Sequence, residues 1–146
     1  VEPGRSIVAR ARVALYGVVG RKLAADGAVQ YLHVDGGMAD NIRPSLYGAR
    51  YTALVAGRAD AEPGPPVSVA GRYCESGDVL LRDVALPPAG PGDLLAVAAA
   101  GAYTLSMAST YNMVPRPAVV LVGDGRARLM QRREEEEALL ARDVGI

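Results

Sequence analysis

The chain contains no phenylalanine and no tryptophan, and it has only one cysteine and one histidine. Seven tyrosines therefore supply all of its aromatic surface, and each brings a hydroxyl that needs a hydrogen-bond partner when it is buried. The lone cysteine, Cys74, excludes an internal disulfide and fits the reducing conditions of the cytoplasm. One histidine and one cysteine make a poor ligand set, so we expect His33 to be a strand residue and predict no metal site.

An excess of one charge is also missing, because 16 basic residues balance 16 acidic ones. A nucleic-acid partner needs an electropositive surface, and we expect none here. No apolar run approaches the roughly 20 residues that cross a bilayer, so we expect no membrane partner. Lys22 is the sole lysine, and it lies in a predicted hairpin with no motif around it, so we assign it no catalytic role.

Alternating apolar and polar residues predict strands along most of the chain. The first covers residues 6–19, and Asp26-Gly27 predicts a hairpin turn into a second strand at 28–34. Further strands are predicted at 50–56, 67–74, 79–86, 94–102, 118–122 and 126–131, with a short turn at 44–49. Gly123-Asp124-Gly125 predicts a hairpin turn between the last two strands. Four consecutive glutamates near its start favour a single helix at 134–142. The expected fold is all-β: a Greek-key-like β-barrel or sandwich with one C-terminal helix.

The tetrapeptide Glu2-Pro3-Gly4-Arg5 places a carboxylate, a rigid turn and a guanidinium just before the first predicted strand. Such a turn can present backbone N–H groups to a phosphate, and the arginine fork can hold a carboxylate through two hydrogen bonds. As a bare tetrapeptide this is a weak signal, and an ordinary turn is the simpler explanation of the same residues. We therefore leave both interpretations open at this point.

Two further groups of residues have side chains suited to chemistry. Arg43 and Tyr47 are four residues apart, which on a helical turn would place them on one face to grip an anion; a surface arginine packed over a tyrosine is the alternative. Cys74 and Glu75 put a thiol beside a carboxylate, although a lone cysteine is often only a small buried apolar residue. Tyr103 follows a Gly-Ala pair, and its spacing does not distinguish a phosphate contact from a core position.

Five segments together resemble the C-terminal half of diaminopimelate decarboxylases, which have the alanine-racemase-like fold of pyridoxal-phosphate enzymes. They are EPGR at 2–5, DGGMADNIRPSLYGARY at 35–51, GRYCESGD at 71–78, GAYTLSMASTYN at 101–112 and RPAVVLV at 116–122. EPGR is shared with ornithine and arginine decarboxylases, whereas the second and third segments are more particular to the diaminopimelate branch. The resemblance covers nearly the whole chain.

The resemblance implies that residues 1–146 are the C-terminal β-domain of a two-domain subunit, cut out of a longer polypeptide. Residues 1–5 would then be the tail of an N-terminal (β/α)₈ barrel, which carries the lysine that binds pyridoxal 5'-phosphate. Active sites in this family form where the barrel of one subunit meets the β-domain of the other in a homodimer.

The same resemblance implies roles for individual residues. Glu2, Pro3, Gly4 and Arg5 would lie near the cofactor, which Tyr103 would also contact. Arg5, Arg43, Tyr47 and Tyr103 would contact the substrate, whose carboxylates the two arginines and Tyr47 would hold. Glu75 would bind the distal ammonium group. Cys74 would deliver a proton to the substrate carbon after CO₂ leaves.

The function implied for the parent enzyme is therefore conversion of meso-2,6-diaminopimelate to L-lysine and CO₂, in lysine biosynthesis. Two alternatives remain: a sister decarboxylase that acts on another basic amino acid, or a non-catalytic β-domain that only binds or scaffolds partners. A site selective for diaminopimelate needs a second anion clamp, and Arg43 is the candidate for it.

Overall fold

A computed structural model describes residues 3–145 of the chain. Its eight strands are β1 (Ala14–Leu23), β2 (Val29–Val34), β3 (Ala53–Val55), β4 (Pro66–Ala70), β5 (Val79–Ala85), β6 (Leu94–Val97), β7 (Val119–Gly123) and β8 (Arg126–Gln131). Four short helices accompany them: α1 (Gly4–Val8), α2 (Arg43–Tyr47), α3 (Thr104–Met107) and α4 (Glu136–Leu140). Single 3₁₀ turns occur at Ala9–Ala11 and Tyr111–Met113.

Six strands form one sheet in the order β3-β6-β1-β2-β4-β5, and β7 and β8 form a separate hairpin. Every neighbouring pair is antiparallel except β2 and β4, which run parallel. The large sheet curls into a nearly closed barrel. The all-β prediction is therefore confirmed, as are the two hairpins predicted at Asp26-Gly27 and at residues 123–125.

The core lies on one face of the curled sheet, because alternate side chains of a strand point to the same side. Tyr16 and Val18 of β1 and Leu32 and Val34 of β2 follow this two-residue period and are buried. The remaining strands of the sheet complete the cluster with Val55, Val67, Val69, Leu80, Leu81, Leu95 and Val97. Burial raises the pKa of the Tyr16 hydroxyl above its ordinary value.

The predicted strand at 6–19 is wrong in its first half, because residues 4–11 form α1 and the 3₁₀ turn instead. Alternation alone did not distinguish the two structures, since Ile7 and Val8 are exposed and face no core. Docking against a distant segment fixes this region: the carbonyl of Ala9 accepts the N–H of Gly101 at 2.9 Å, and that of Arg12 accepts the N–H of Ala100 at 3.0 Å.

Four other predicted elements are also corrected. The strand at 94–102 ends at Val97, because Ala99 adopts a left-handed conformation with φ 57°. The strand at 67–74 ends at Ala70, and the turn at 44–49 is largely helix α2. The helix at 134–142 is shortened to α4 because Glu134 instead binds the backbone N–H of Arg116 at 2.9 Å. It is also not the sole helix of the described chain.

None of the helices within residues 3–145 has the length and apolar character needed to span a bilayer.

Candidate functional site

The carboxylate of Asp78 joins two loops of the barrel, and a third segment is bonded to one of them. This buried side chain accepts the backbone N–H of Met38 at 2.7 Å from the loop after β2. Its other oxygen accepts the N–H of Tyr73 at 2.8 Å within the turn between β4 and β5. The segment after β6 joins them, since Ser109 N–H donates to the carbonyl of Ala39 at 2.9 Å. The DGGM, CESGD and GAYTLSMASTYN segments are thereby held together.

Glycines at 37 and 71 let the backbone approach Asp78 this closely. A Cβ atom at Gly37 would lie 2.6 Å from Oδ1 of Asp78, and one at Gly71 would clash with the same carboxylate. Desolvation by burial raises the pKa of Asp78, against the two N–H donors that lower it. The carboxylate of Asp78 therefore holds the loop after β2 against the turn between β4 and β5.

Helix α2 presents Arg43 between two tyrosines. The guanidinium carbon of Arg43 lies 5.9 Å from the ring centre of Tyr47 and 5.2 Å from that of Tyr103. Gly48 ends the helix in a left-handed conformation with φ 61°, which glycine tolerates without strain. Nε of Arg43 is buried and has no hydrogen-bond partner among residues 3–145. The predicted shared face of Arg43 and Tyr47 is therefore present.

Cys74 and Glu75, on the turn between β4 and β5, form a second cluster with Tyr111 from the 3₁₀ turn after α3. The thiol of Cys74 is exposed and lies 3.5 Å from Oε1 of Glu75. The hydroxyl of Tyr111 donates a hydrogen bond to the same oxygen. That bond lowers the pKa of Glu75 and raises the pKa of Tyr111. The other oxygen, Oε2, is buried without a partner in the described residues.

Tyr73 lies behind this second cluster. Its ring meets that of Tyr111 edge to face, with centroids 5.7 Å apart and planes at 66°. Burial raises the pKa of the Tyr73 hydroxyl to about 12. This hydroxyl too is buried and has no partner within residues 3–145.

The two clusters lie on elements that touch. A Cβ atom at Gly77 would lie 2.7 Å from Oγ of Ser45, so α2 packs directly against the turn that carries Cys74 and Glu75. The structure thus gathers one cationic group, one anionic group and one thiol on adjoining elements. Buried atoms without a hydrogen-bond partner in residues 3–145 occur on Arg43, Tyr73 and Glu75, and they single out this region because nearly all buried polar groups in folded proteins are hydrogen-bonded.

The N-terminal residues lie apart from these clusters. Pro3 precedes α1, and Gly4 and Arg5 lie on it, all exposed. Within the described chain, the side chain of Arg5 makes no hydrogen bond or ion pair. Helix α1 leads into the segment that docks on Gly101, two residues before Tyr103. Glu2, the remaining residue of this group, lies outside the described residues.

Sequence reasoning missed Tyr73, Asp78 and Tyr111, although all three lie in the recognised segments. Spacing alone carried no signal for them, because their partners lie far away in the chain; Tyr111 and Glu75 are 36 positions apart. No cluster of three or more histidine, cysteine or acidic side chains suited to a metal is found in residues 3–145.

Comparison with known proteins gives a consistent result. Residues 7–101 match the family model of the C-terminal sheet domain of pyridoxal-dependent decarboxylases. The chain is 50% identical over 144 residues to the diaminopimelate decarboxylase of Bacillus subtilis (strain 168), a match that covers 99% of this chain but only 33% of that protein. The chain therefore spans about a third of the length of such relatives.

Solved structures agree with this. Diaminopimelate decarboxylase from Helicobacter pylori, complexed with L-lysine, superposes with a TM-score of 0.82 at 36% identity, over 94% of this chain and 33% of that one. The enzyme from M. jannaschii, also in complex with L-lysine, gives a TM-score of 0.87 at 35% identity, over 97% of this chain and 32% of that one. The family model, the sequence identity and the fold together show that this chain belongs to the pyridoxal-dependent decarboxylases, as their C-terminal sheet domain.

Proposed function

We propose that this chain is the C-terminal β-domain of a diaminopimelate decarboxylase that converts meso-2,6-diaminopimelate to L-lysine and CO₂. The observation that carries the proposal is the grouping of Arg43, Glu75 and Cys74 on adjoining elements, where buried polar atoms of Arg43 and Glu75 have no partner in residues 3–145. Diaminopimelate has two carboxylates and two amines, so its recognition calls for both an anion clamp and a cation acceptor. This grouping offers both, beside a thiol.

Each side chain has a role that fits its surroundings. Arg43 is proposed to hold the second carboxylate of the substrate, with Tyr47 beside it, because a guanidinium can donate two parallel hydrogen bonds to a carboxylate. Glu75 is proposed to bind the distal ammonium through its unpartnered oxygen. Cys74 is proposed to give a proton to the substrate carbon after CO₂ leaves, a step typically worth ~10²–10⁴ in rate.

The residues also fit pyridoxal 5'-phosphate at the edge of the domain. Tyr103 is 48% exposed, makes no hydrogen bond through its hydroxyl within residues 3–145, and is therefore free to reach a cofactor outside this domain. Arg5 is exposed and unpaired in the described chain and is proposed to bind an anion there, together with Pro3, Gly4 and Glu2. When bound, the cofactor supplies the electron sink for the pair released as the C–C bond breaks.

A second subunit is part of the proposal. We infer that a (β/α)₈ barrel precedes this domain, that residues 1–5 are its tail, and that Cys74 and Glu75 serve the barrel of the other subunit in a homodimer. Large apolar side chains left uncovered on the domain, such as Ile7 and Val122, which are 73% and 74% exposed, support a partner surface. We further infer a cytoplasmic location, where the exposed thiol of Cys74 stays reduced.

The test is a decarboxylation assay on the full-length polypeptide that carries this domain. We expect CO₂ and L-lysine from meso-diaminopimelate in the presence of pyridoxal phosphate, and much slower release from ornithine or arginine. The 146-residue chain alone should release none, because its single lysine, Lys22, lies in the β1–β2 hairpin with its Nζ 6.0 Å from the ring of Tyr31, away from the site.

Faster turnover of ornithine or arginine would instead identify a sister decarboxylase. A full-length protein that turns over none of these amino acids would favour a domain that only binds partners.

A further inference from the structure

The two carboxylate oxygens of Glu75 have unlike surroundings. Oε1 accepts hydrogen bonds from the hydroxyl of Tyr111 and, at 3.5 Å, from the thiol of Cys74. Oε2 is buried and accepts none from residues 3–145. A buried carboxylate oxygen without a donor is unfavourable, so this atom is prepared for a partner that the domain itself does not supply.

No cation of the described chain fills that place. The two ion pairs within residues 3–145 join Arg58 to Asp93 and Arg116 to Glu134, and neither involves Glu75. A primary ammonium group suits the free oxygen, because it is compact and carries three donors.

Tyr111 is itself held from several sides. Its ring packs edge to face on Tyr73, whose own N–H is bound by Asp78. Its backbone lies in a turn closed by a bond of 2.9 Å from Met113 N–H to the carbonyl of Thr110. The hydroxyl therefore reaches Glu75 from a supported position.

We propose that Tyr111 is a positioning residue whose hydroxyl holds Oε1 of Glu75, so that Oε2 stays directed to the distal ammonium group of a diamino acid. The inference rests on the proposed function, because it needs a substrate with a second amine. Tyr111 touches Glu75 and acts through it. A phenylalanine at this position would keep the ring contact with Tyr73 and lose only the hydrogen bond.

The experiment is a double-mutant cycle in the full-length enzyme with pyridoxal phosphate bound. The proteins are wild type, Tyr111→Phe, Glu75→Gln, the double variant, and Tyr31→Phe as the matched control in β2. Two constants are measured for each: the KM of meso-diaminopimelate and the inhibition constant of D-2-aminopimelate, which lacks only the distal amine.

Tyr111→Phe should raise the KM of diaminopimelate roughly three- to ten-fold, which is the usual effect of losing one hydrogen bond. The inhibition constant of D-2-aminopimelate should not change. In the Glu75→Gln background the same change should have no further effect, because the two residues act as a unit. Tyr31→Phe should change neither constant. Equal losses for both ligands, or full additivity in the double variant, would overturn the proposal.

A second measurement separates this inference from the proposed function. In the 146-residue chain, the side-chain carboxyl carbon of Glu75 can be titrated by NMR, with no substrate present. Tyr111→Phe should raise the pKa of Glu75, because the hydrogen bond from Tyr111 is the main cause that lowers it. An unchanged titration would remove the contact on which the inference depends, whatever the enzyme decarboxylates. If the wild-type enzyme did not decarboxylate diaminopimelate but Tyr111→Phe still raised the pKa of Glu75, the proposed function would be refuted and the contact between Tyr111 and Glu75 would be supported.

Discussion

The carboxylate of Asp78 accepts the backbone N–H of Met38 across 40 positions of sequence, at 2.7 Å. Through this bond the turn that carries Cys74 and Glu75 is tied to the loop that leads into α2 and Arg43. The separation of the thiol, the carboxylate and the guanidinium therefore depends on a buried acid that is assigned no contact with substrate.

We predict that Asp78→Asn lowers the free energy of unfolding more at pH 3 than at pH 7. Burial raises the pKa of Asp78 above its ordinary 3.8, so the folded state binds the proton more tightly than the unfolded state does. The contribution of this group to stability is thus greatest at low pH and falls as pH rises through the interval between the two pKa values. Urea unfolding of both proteins at the two pH values measures the difference.

Asp93→Asn provides a control of opposite sign. The N–H of Gly90 and the guanidinium of Arg58 lower the pKa of Asp93, so its contribution is present above the ordinary 3.8 and is lost as pH falls through the folded value. Asp93→Asn should therefore lower the free energy of unfolding more at pH 7 than at pH 3. The same sign for both variants would contradict the opposite pKa shifts of these two carboxyl groups.

Arg43→Ala in the full-length enzyme should weaken the binding of diaminopimelate far more than the binding of D-lysine. D-Lysine keeps the reacting centre and the distal amine but lacks the second carboxylate. Loss of a hydrogen bond to a charged group costs about 1.5–3 kcal/mol, or roughly 10- to 150-fold in binding. Inhibition constants for both ligands measure it, with Arg128→Ala on β8 as the control. If the binding of both ligands were weakened equally, the role of Arg43 would be structural.

Gly101→Ala should destabilise the domain by about 1–3 kcal/mol or more, because a Cβ atom there would clash with the carbonyl oxygen of Val8 and lie 2.9 Å from that of Ala9. The contact joins the end of α1 to the segment before Tyr103. Gly123→Ala is the matched control, since nothing lies within 4 Å of its added Cβ. Thermal unfolding of the two variants should separate them; similar melting temperatures would show that α1 does not dock as described.

The proposed sharing of active sites between subunits can be tested by mixing inactive enzymes. A Cys74→Ala subunit and a subunit lacking the barrel lysine should each be nearly inactive as homodimers. Random exchange makes about half of the dimers mixed, each with one good site of two, so activity should recover to roughly a quarter of wild type. Subunit exchange is followed independently by mass spectrometry. No recovery despite exchange would place Cys74 in the site of its own subunit or remove it as the proton donor.

The sequence by itself determined the strands of the core and the family. Alternation of apolar residues in β1 and β2 reflects a physical period that any half-buried strand must show, and the hairpin turns carry their own residue preferences. The four-residue spacing of Arg43 and Tyr47 likewise predicted their shared face, because helical geometry is local.

Only the tertiary structure decided how the segments of the site meet. Tyr103 and Met113 adopt left-handed conformations, with φ 64° and 58°, that local preference disfavours and that the surrounding contacts must maintain. The α1 region became helical where alternation predicted a strand, since its backbone docks on Gly101 rather than on a neighbouring strand. The hydrogen bond from Tyr111 to Glu75 joins residues that are 36 positions apart, and therefore it forms only when the chain folds.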